Sequence, residues 1–268
     1  MANVTGALEA TVFAEDLARL PGLLQRLDPR AKVVSFLAYL LAVSFARHLT
    51  VLLGLYAIAM VFAYLGRIPL VFFLKRVWLF VPIFAGVIAA PAIFSFVTPG
   101  RAVLDLPVGA SVTEQGLRTA AFLVLRVATS VSFGVLLILS TRWPALLKAL
   151  RVLKVPQVFV LILGMTHRYI FLLLHTANNM FIARQSRTVG RIQARENRRW
   201  IAGAMGTLVG RSYQLSNEVY LAMISRGFRG EAMVIDDFRM KVIDWVWTSI
   251  SVGLALAVIL AEQSIFHP

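Results

Sequence analysis

Residues 119–140, TAAFLVLRVATSVSFGVLLILS, carry one charge in an otherwise unbroken apolar stretch. A helix needs about 20 predominantly apolar residues to cross the hydrocarbon core of a bilayer, so this stretch reads as a membrane span. Four more runs follow the same logic: VVSFLAYLLAVSFA (33–46), LTVLLGLYAIAMVFAYL (49–65), VWLFVPIFAGVIAAPAIFSFV (77–97) and VIDWVWTSISVGLALAVILAE (242–262). The first two are short and parted only by Arg47-His48, which predicts a tight hairpin. Pro82 and Pro91 are expected to kink the third. Trp245 and Trp247 mark one end of the last, where indoles favour the membrane interface. Composition agrees: 59% of the 268 residues are hydrophobic and 15% charged, with a mean hydropathy of +0.78. Soluble domains hold about 45–50% apolar and about 25% charged residues. The expected fold class is an all-α polytopic membrane protein with about five transmembrane helices. The first thirty residues mix charged and apolar side chains and do not read as a secretory signal. Cysteine is absent, which removes disulfides and thiolate metal sites.

The formal charge is +14, and its placement orients the chain. RIPLVFFLKR, TRWPALLKALRVLK and the region 184–241 are rich in Lys and Arg, whereas the Arg47-His48 turn and residues 98–118 carry few. Basic segments stay on the cytoplasmic side, so the N-terminus is expected inside and the C-terminus outside a bacterial or archaeal cytoplasmic membrane. VFVLILGMTHRYIFLLL (158–174) is oily enough to span, but basic segments flank it on both sides. His167 and Arg168 in its middle are costly at a bilayer centre. It reads as a helix in the interface or packed under the bundle. The expected organisation is a cytoplasmic N-terminal segment (1–32), a four-helix membrane region (33–140), a cytoplasmic or interfacial module of amphipathic helices (141–241) and a last membrane helix (242–262).

Within the module, Arg184, Arg187, Arg191, Arg195 and Arg198 recur at spacings of three and four, which predicts a continuous basic stripe on one helix face. Ile201, Met205, Leu208, Ser212, Leu215, Val219 and Ala222 then trace an apolar seam. Two small-Arg-small triplets stand out, Ser186-Arg187-Thr188, within the basic helix or at a break in it, and Ser225-Arg226-Gly227. The second falls where the seam stops, and Gly227 suits a left-handed helix cap. A single such triplet is usually a capped helix with a surface arginine; two in one module suggest two plugs for one kind of socket.

Enzyme chemistry finds no support. The chain has no His-Glu-x-x-His, no Gly-x-Ser-x-Gly and no glycine-rich phosphate loop, and its spans hold almost no acids. His167 and His175 read as interfacial histidines before they read as metal ligands. Arg126 inside the span 119–140 either snorkels to the interface or contacts another helix or subunit. The basic stripe faces anionic headgroups or an acidic protein partner; nucleic acid is not expected.

LDPRAK (27–32), LSTRWPALLKALRVLKVPQVFVLILGMTHRYIFLLL (139–174), ARQSR (183–187) and AMISRGFRG (222–230) resemble the transmembrane T component of energy-coupling factor transporters, most closely the CbiQ branch of cobalt and nickel importers. The resemblance implies a non-catalytic scaffold with four membrane helices, a coupling module and a final membrane helix. It also implies that the two triplets end helices docked into two ATP-binding subunits. The first triplet, with Thr188 at the glycine position, departs from the family pattern there. The seam, including Ile201, Met205, Leu208, Leu215 and Val219, is expected to carry the motion. The implied partners are two ATP-binding subunits, a substrate-binding membrane subunit, room for a further small membrane subunit, and the lipid bilayer. No cofactor of its own is implied, since ATP is bound by the partner subunits. A vitamin importer, or a conventional permease carrying its own substrate site, is the alternative.

Overall fold

The computed structural model describes residues 22–79, 81–93, 102–105, 111–190, 193–230 and 240–264. In chain order its helices are α1 (Leu23–Arg26), α2 (Pro29–Phe45), α3 (Leu49–Leu65), α4 (Leu70–Trp78), α5 (Val81–Ala89), α6 (Glu114–Ser140), α7 (Trp143–Val152), α8 (Gln157–Arg187), α9 (Ala194–Ser225) and α10 (Val242–Ser264). A short antiparallel pair, β1 (Ala102–Asp105) and β2 (Ser111–Thr113), leads into α6. The chain is an all-α polytopic membrane protein with this one small hairpin. Its described residues divide into two compact units, one of residues 22–149 with 240–264 and one of residues 150–230.

Four helical stretches of the described residues are long and apolar enough to cross a bilayer: Leu70–Ala89, α6, α8 and Val242–Gln263. Helices α2 and α3 have 17 residues each, the lower end of the range that spans. The third span starts earlier than expected. It begins at Leu70 and not at residue 77, so Lys75 and Arg76 lie in the last turn of α4. Pro82 stands in the first turn of α5, where its missing N–H costs nothing, and Pro91 falls in a 3-10 turn, Ala90–Ile93. Residues 94–97 lie outside the described residues. Segment 158–174 also differs: it belongs to one uninterrupted helix, α8, which length and composition class with the spans.

In the larger unit α6 is the central post, packed against α2, α3, α4 and α5, while α10 lies along α2. Its inward positions are small as far as Ser132, with Ala120, Ala128, Thr129 and Ser132 buried, and large further on, with Phe133, Leu136 and Leu139 buried. Tyr39 of α2 stacks on Phe133 at 5.0 Å between ring centroids and meets Phe62 edge-on at 5.7 Å. Its hydroxyl is hydrogen-bonded to Ser251, as a buried tyrosine requires. Trp247 packs on Phe62 at 5.0 Å, whereas Trp245 is 62% exposed, so only one of the two tryptophans faces outward. The outward positions of α2, α3, α5 and α10 carry Leu37, Leu53, Phe84 and Leu256, side chains that lipid tails accommodate.

Both ends of the bundle are closed by buried charge. At one end the Asp28 side chain accepts from Arg30 N at 2.9 Å, capping α2, and Pro29 takes the first helical position; Asp-Pro is a helix start because each residue suits its place. Asp28 N donates to Asp244 Oδ1 at 2.8 Å, and Lys241 N donates to Oδ2 at 2.9 Å. The Lys32 ammonium, 2% exposed, donates to Ser140 O at 2.9 Å. The LDPRAK segment thereby ties together the starts of α2 and α10 and the end of α6.

At the other end the α2–α3 turn is held by two opposite charges. Arg126 donates through Nε to Val43 O and through its terminal nitrogen to Ser44 O and Ala46 O, carbonyls at the C-terminus of α2. Of the two roles open to Arg126, the structure has the contact with another helix. Glu262 Oε1 accepts from Arg47 N at 3.2 Å and His48 N at 3.1 Å, and Oε2 lies 2.9 Å from His48 Nδ1. A cation thus sits at a helix C-terminus and a carboxylate at a helix N-terminus, the favourable pairing with each dipole.

Two helix ends place a cation where glycine is usual. Arg67 (φ 51) and Lys154 (φ 65) adopt the left-handed conformation. In each, the backbone bonds are those of a Schellman cap, Ile68 N to Ala63 O and Val155 N to Leu150 O.

Arg126→Met should cost about 2–3 kcal/mol, because it removes charge-assisted hydrogen bonds and leaves part-buried carbonyls at the end of α2 unsatisfied. The thermal unfolding temperature of the purified protein should fall by about 5–10 °C, whereas Arg118→Met, on an exposed position of the same helix, should leave it unchanged.

Candidate functional site

Both triplets lie in the unit of residues 150–230, which is an antiparallel pair of long helices, α8 with 31 residues and α9 with 32. The expected basic stripe is not continuous. Helix α8 stops at Arg187; Thr188 is extended (φ −110, ψ 122) and Gly190 has φ +90. A β-branched Thr-Val pair followed by glycine does not continue a helix, and α9 starts afresh at Ala194. Arg184 and Arg187 therefore belong to one helix and Arg195 and Arg198 to the next, while Arg191 lies outside the described residues.

Arg184 gives the turn its shape. Its guanidinium lies 4.4 Å from the Trp200 ring centroid and donates to Asn197 Oδ1 at 2.8 Å. The same indole meets Phe181 edge-on at 4.9 Å. This clamp holds the end of α8 against the first turns of α9 and so positions Arg187. Asn197 and Trp200 were not singled out from sequence; their spacing of three, opposite an arginine on the preceding helix, was the available signal.

The seam of α9 is formed by half-buried Ile201, Ala204, Leu208, Ser212, Leu215, Val219 and Met223. Five of the seven expected positions hold. Met205 is 63% exposed and Ala222 is exposed; Ala204 and Met223 take their places. The observed spacing of three, four, four repeats every 11 residues, which follows a straight α-helix more closely than the heptad spacing does. Opposite the seam, α8 contributes Leu161, Met165, Tyr169 and Leu173, and between the helices lies an apolar groove of about 560 Å³, lined also by Phe228. The hydroxyl-bearing side chains Thr166, Ser212, Ser216 and Tyr220 also line it.

The two triplets end their helices differently. After α9, Phe228 N donates to Met223 O at 3.0 Å and Gly227 N to Ile224 O at 2.9 Å, with Gly227 at φ +82. This is a Schellman cap, and Met223 and Phe228 flank the groove together as its apolar contact. After α8 no glycine occupies the equivalent place. Instead the hydroxyls of Ser186 and Thr188 donate to Ala183 O at 3.0 Å and Arg184 O at 2.8 Å. Ser225 also turns its hydroxyl back, to Leu221 O at 3.0 Å. The small residues are thus spent on their own helices. The Arg187 and Arg226 guanidiniums are exposed and have no hydrogen-bond or ion-pair partner among the described residues. They stand at opposite ends of the hairpin, roughly 48 Å apart at 1.5 Å per residue of α9.

Among the described residues no three His, Asp or Glu side chains come together. His167 packs its ring against Phe171 at 5.0 Å.

Residues 22–235 match the CbiQ family, described as cobalt transport protein. The chain is 37% identical over 266 residues to an uncharacterized protein of Methanocaldococcus jannaschii, covering 98% of this chain and 91% of that one. It is 27% identical over 224 residues to the energy-coupling factor transporter transmembrane protein EcfT of Streptococcus equi subsp. equi, covering 79% and 82% of the two chains. It is 32% identical over 178 residues to the cobalt transport protein CbiQ of Rhodobacter capsulatus, covering 65% and 67%.

Leu215→Asp buries part of a charge in the groove face, at a cost of about 1–3 kcal/mol, whereas Met205→Asp reaches solvent. Limited proteolysis of the purified protein should therefore cut the first variant faster within 188–230 and the second at the parental rate. Gly227→Val should also loosen that end, since a β-branched residue strains a left-handed cap by about 1–2 kcal/mol.

Proposed function

This chain belongs to the CbiQ family of cobalt transport proteins, a transmembrane component of such transporters, and we propose that it is the coupling subunit of an ATP-driven importer. In this reading Arg187 and Arg226 each dock into a groove of one of two ATP-binding subunits, which carry out hydrolysis. A third, membrane-embedded subunit holds the substrate and rests against the α8–α9 pair. The observation that supports the reading most directly is the pair of helix ends. Both triplets terminate long helices, both serines are turned inward, and both arginines are left free to meet carboxylates or carbonyls with a planar fork. ATP binding closes the partner dimer, the two helix ends follow, and the straight seam from Ile201 to Met223 carries the displacement along α9.

Cobalt is the substrate that the family's description favours, and nickel, a divalent first-row metal of similar ligand preference, is kept beside it. The second reading is a vitamin importer of the same construction; the relative named as an energy-coupling factor component bears on the construction and names no substrate. In both readings the N-terminus is cytoplasmic, the C-terminus external, and α8 stays on the cytoplasmic side, because basic residues flank it on both sides.

Two measurements test this. A reporter fused after Thr188 should read cytoplasmic and one at Pro268 external; an external signal at 188 would mean that α8 crosses, and the docking role would fail. Loss of one arginine contact of roughly 1.5–3 kcal/mol should weaken its site about ten- to a hundredfold. Arg187→Ala or Arg226→Ala alone should then cripple uptake, and the double variant should purify without ATPase. Full retention of both ATPase copies with normal uptake refutes docking.

A further inference from the structure

The turn between α3 and α4 leaves two arginines without work. Arg67 is exposed and has no side-chain partner among the described residues; Arg26, in the last turn of α1, is in the same position. Both line a recess of about 690 Å³ whose walls are Leu23, Tyr64, Leu65 and Val71. Tyr64 is 72% exposed and Val71 67%, so the recess opens outward from the bundle at the end of an apolar helix, the level of the lipid headgroups.

The backbone makes the choice of residue at 67 informative. Position 67 holds φ 51, a conformation that glycine adopts freely and other residues do not. A glycine stands directly beside it, yet Gly66 has an ordinary φ of −76. The chain therefore places an arginine at the strained position, and its side chain lines the recess. A cation there also complements the C-terminus of α3, but a dipole needs no recess and no second arginine. The pair is held in place: Gln25 Nε2 donates to Gly66 O at 2.8 Å, and Leu24 beside it is 1% exposed, so α1 is fastened to the turn.

We propose that this recess binds an anionic phospholipid, its phosphodiester between Arg26 and Arg67 and an acyl chain along Leu23, Leu65 and Val71. Two guanidinium forks match phosphate oxygens, and apolar walls next to them suit a ligand that is charged at one end and oily at the other. Free phosphate would use the arginines and leave the walls bare.

The test uses the full-length protein reconstituted in vesicles of equal parts phosphatidylglycerol and phosphatidylcholine, re-extracted in mild detergent, with retained lipid counted by mass spectrometry. The parent protein should be enriched in phosphatidylglycerol. Arg26→Gln/Arg67→Gln should weaken that binding about thirtyfold, the equivalent of about 1 kcal/mol per arginine. Arg67→Gly is the second variant: it suits the left-handed backbone, so the turn persists, and it should lose about half of the effect on a logarithmic scale. Excess inorganic phosphate should leave the lipid in place. Unchanged enrichment in both variants overturns the proposal, and so does displacement of the lipid by phosphate, which would assign the arginines to a soluble anion.

Discussion

The α2–α3 turn depends on satisfying the peptide groups that two helix ends leave open. A helix end leaves four carbonyls or four amides without intrahelical partners, and each one that is buried unsatisfied costs about 1–3 kcal/mol. Two helices of 17 residues joined by three residues bring both kinds of orphan to one place. Arg126 takes the carbonyls and Glu262 the amides. These partners come from α6 and α10, so closing one turn fixes the depth of two other helices against it. The rest of the bundle, with Tyr39 stacked on Phe133, is packing made possible by that depth.

Lys32, Asp28 and Asp244 repeat the principle at the opposite end with short-range bonds among three segments. Charge in this bundle marks helix termini. That explains how a chain with few acids inside its apolar runs still buries several of its ionisable side chains.

Much of this was legible in the sequence. The spans centred on α2, α3, α6 and α10 follow from apolar length alone, and the Gly227 cap from a glycine at the end of a periodic helix. What was not legible has physical causes. Arg126 could be seen as a charge in a span, but its partners are 80 to 83 residues away, and no local pattern reports them. The seam was drawn with alternating steps of four and three, an average of 3.5 residues; a straight helix drifts by about 20° per heptad from that template. Met205 and Ala222 fell off the true face for this reason. The arginine stripe failed because charge periodicity was followed through Thr188-Val189-Gly190, where backbone preference ends the helix.

The unlike endings of α8 and α9 bear on symmetry. One arginine is presented by a hydroxyl-closed, extended exit, the other by a glycine-closed, left-handed one. The backbone leaves each helix in a different conformation, so the two helix ends are not copies of one shape. A pair of identical sockets would be filled by two non-identical inserts, and a two-fold symmetric partner would lose its symmetry on meeting this chain. If the proposed docking holds, a single polypeptide that bridges such a pair labels one half as different from the other, even where their sequences are the same.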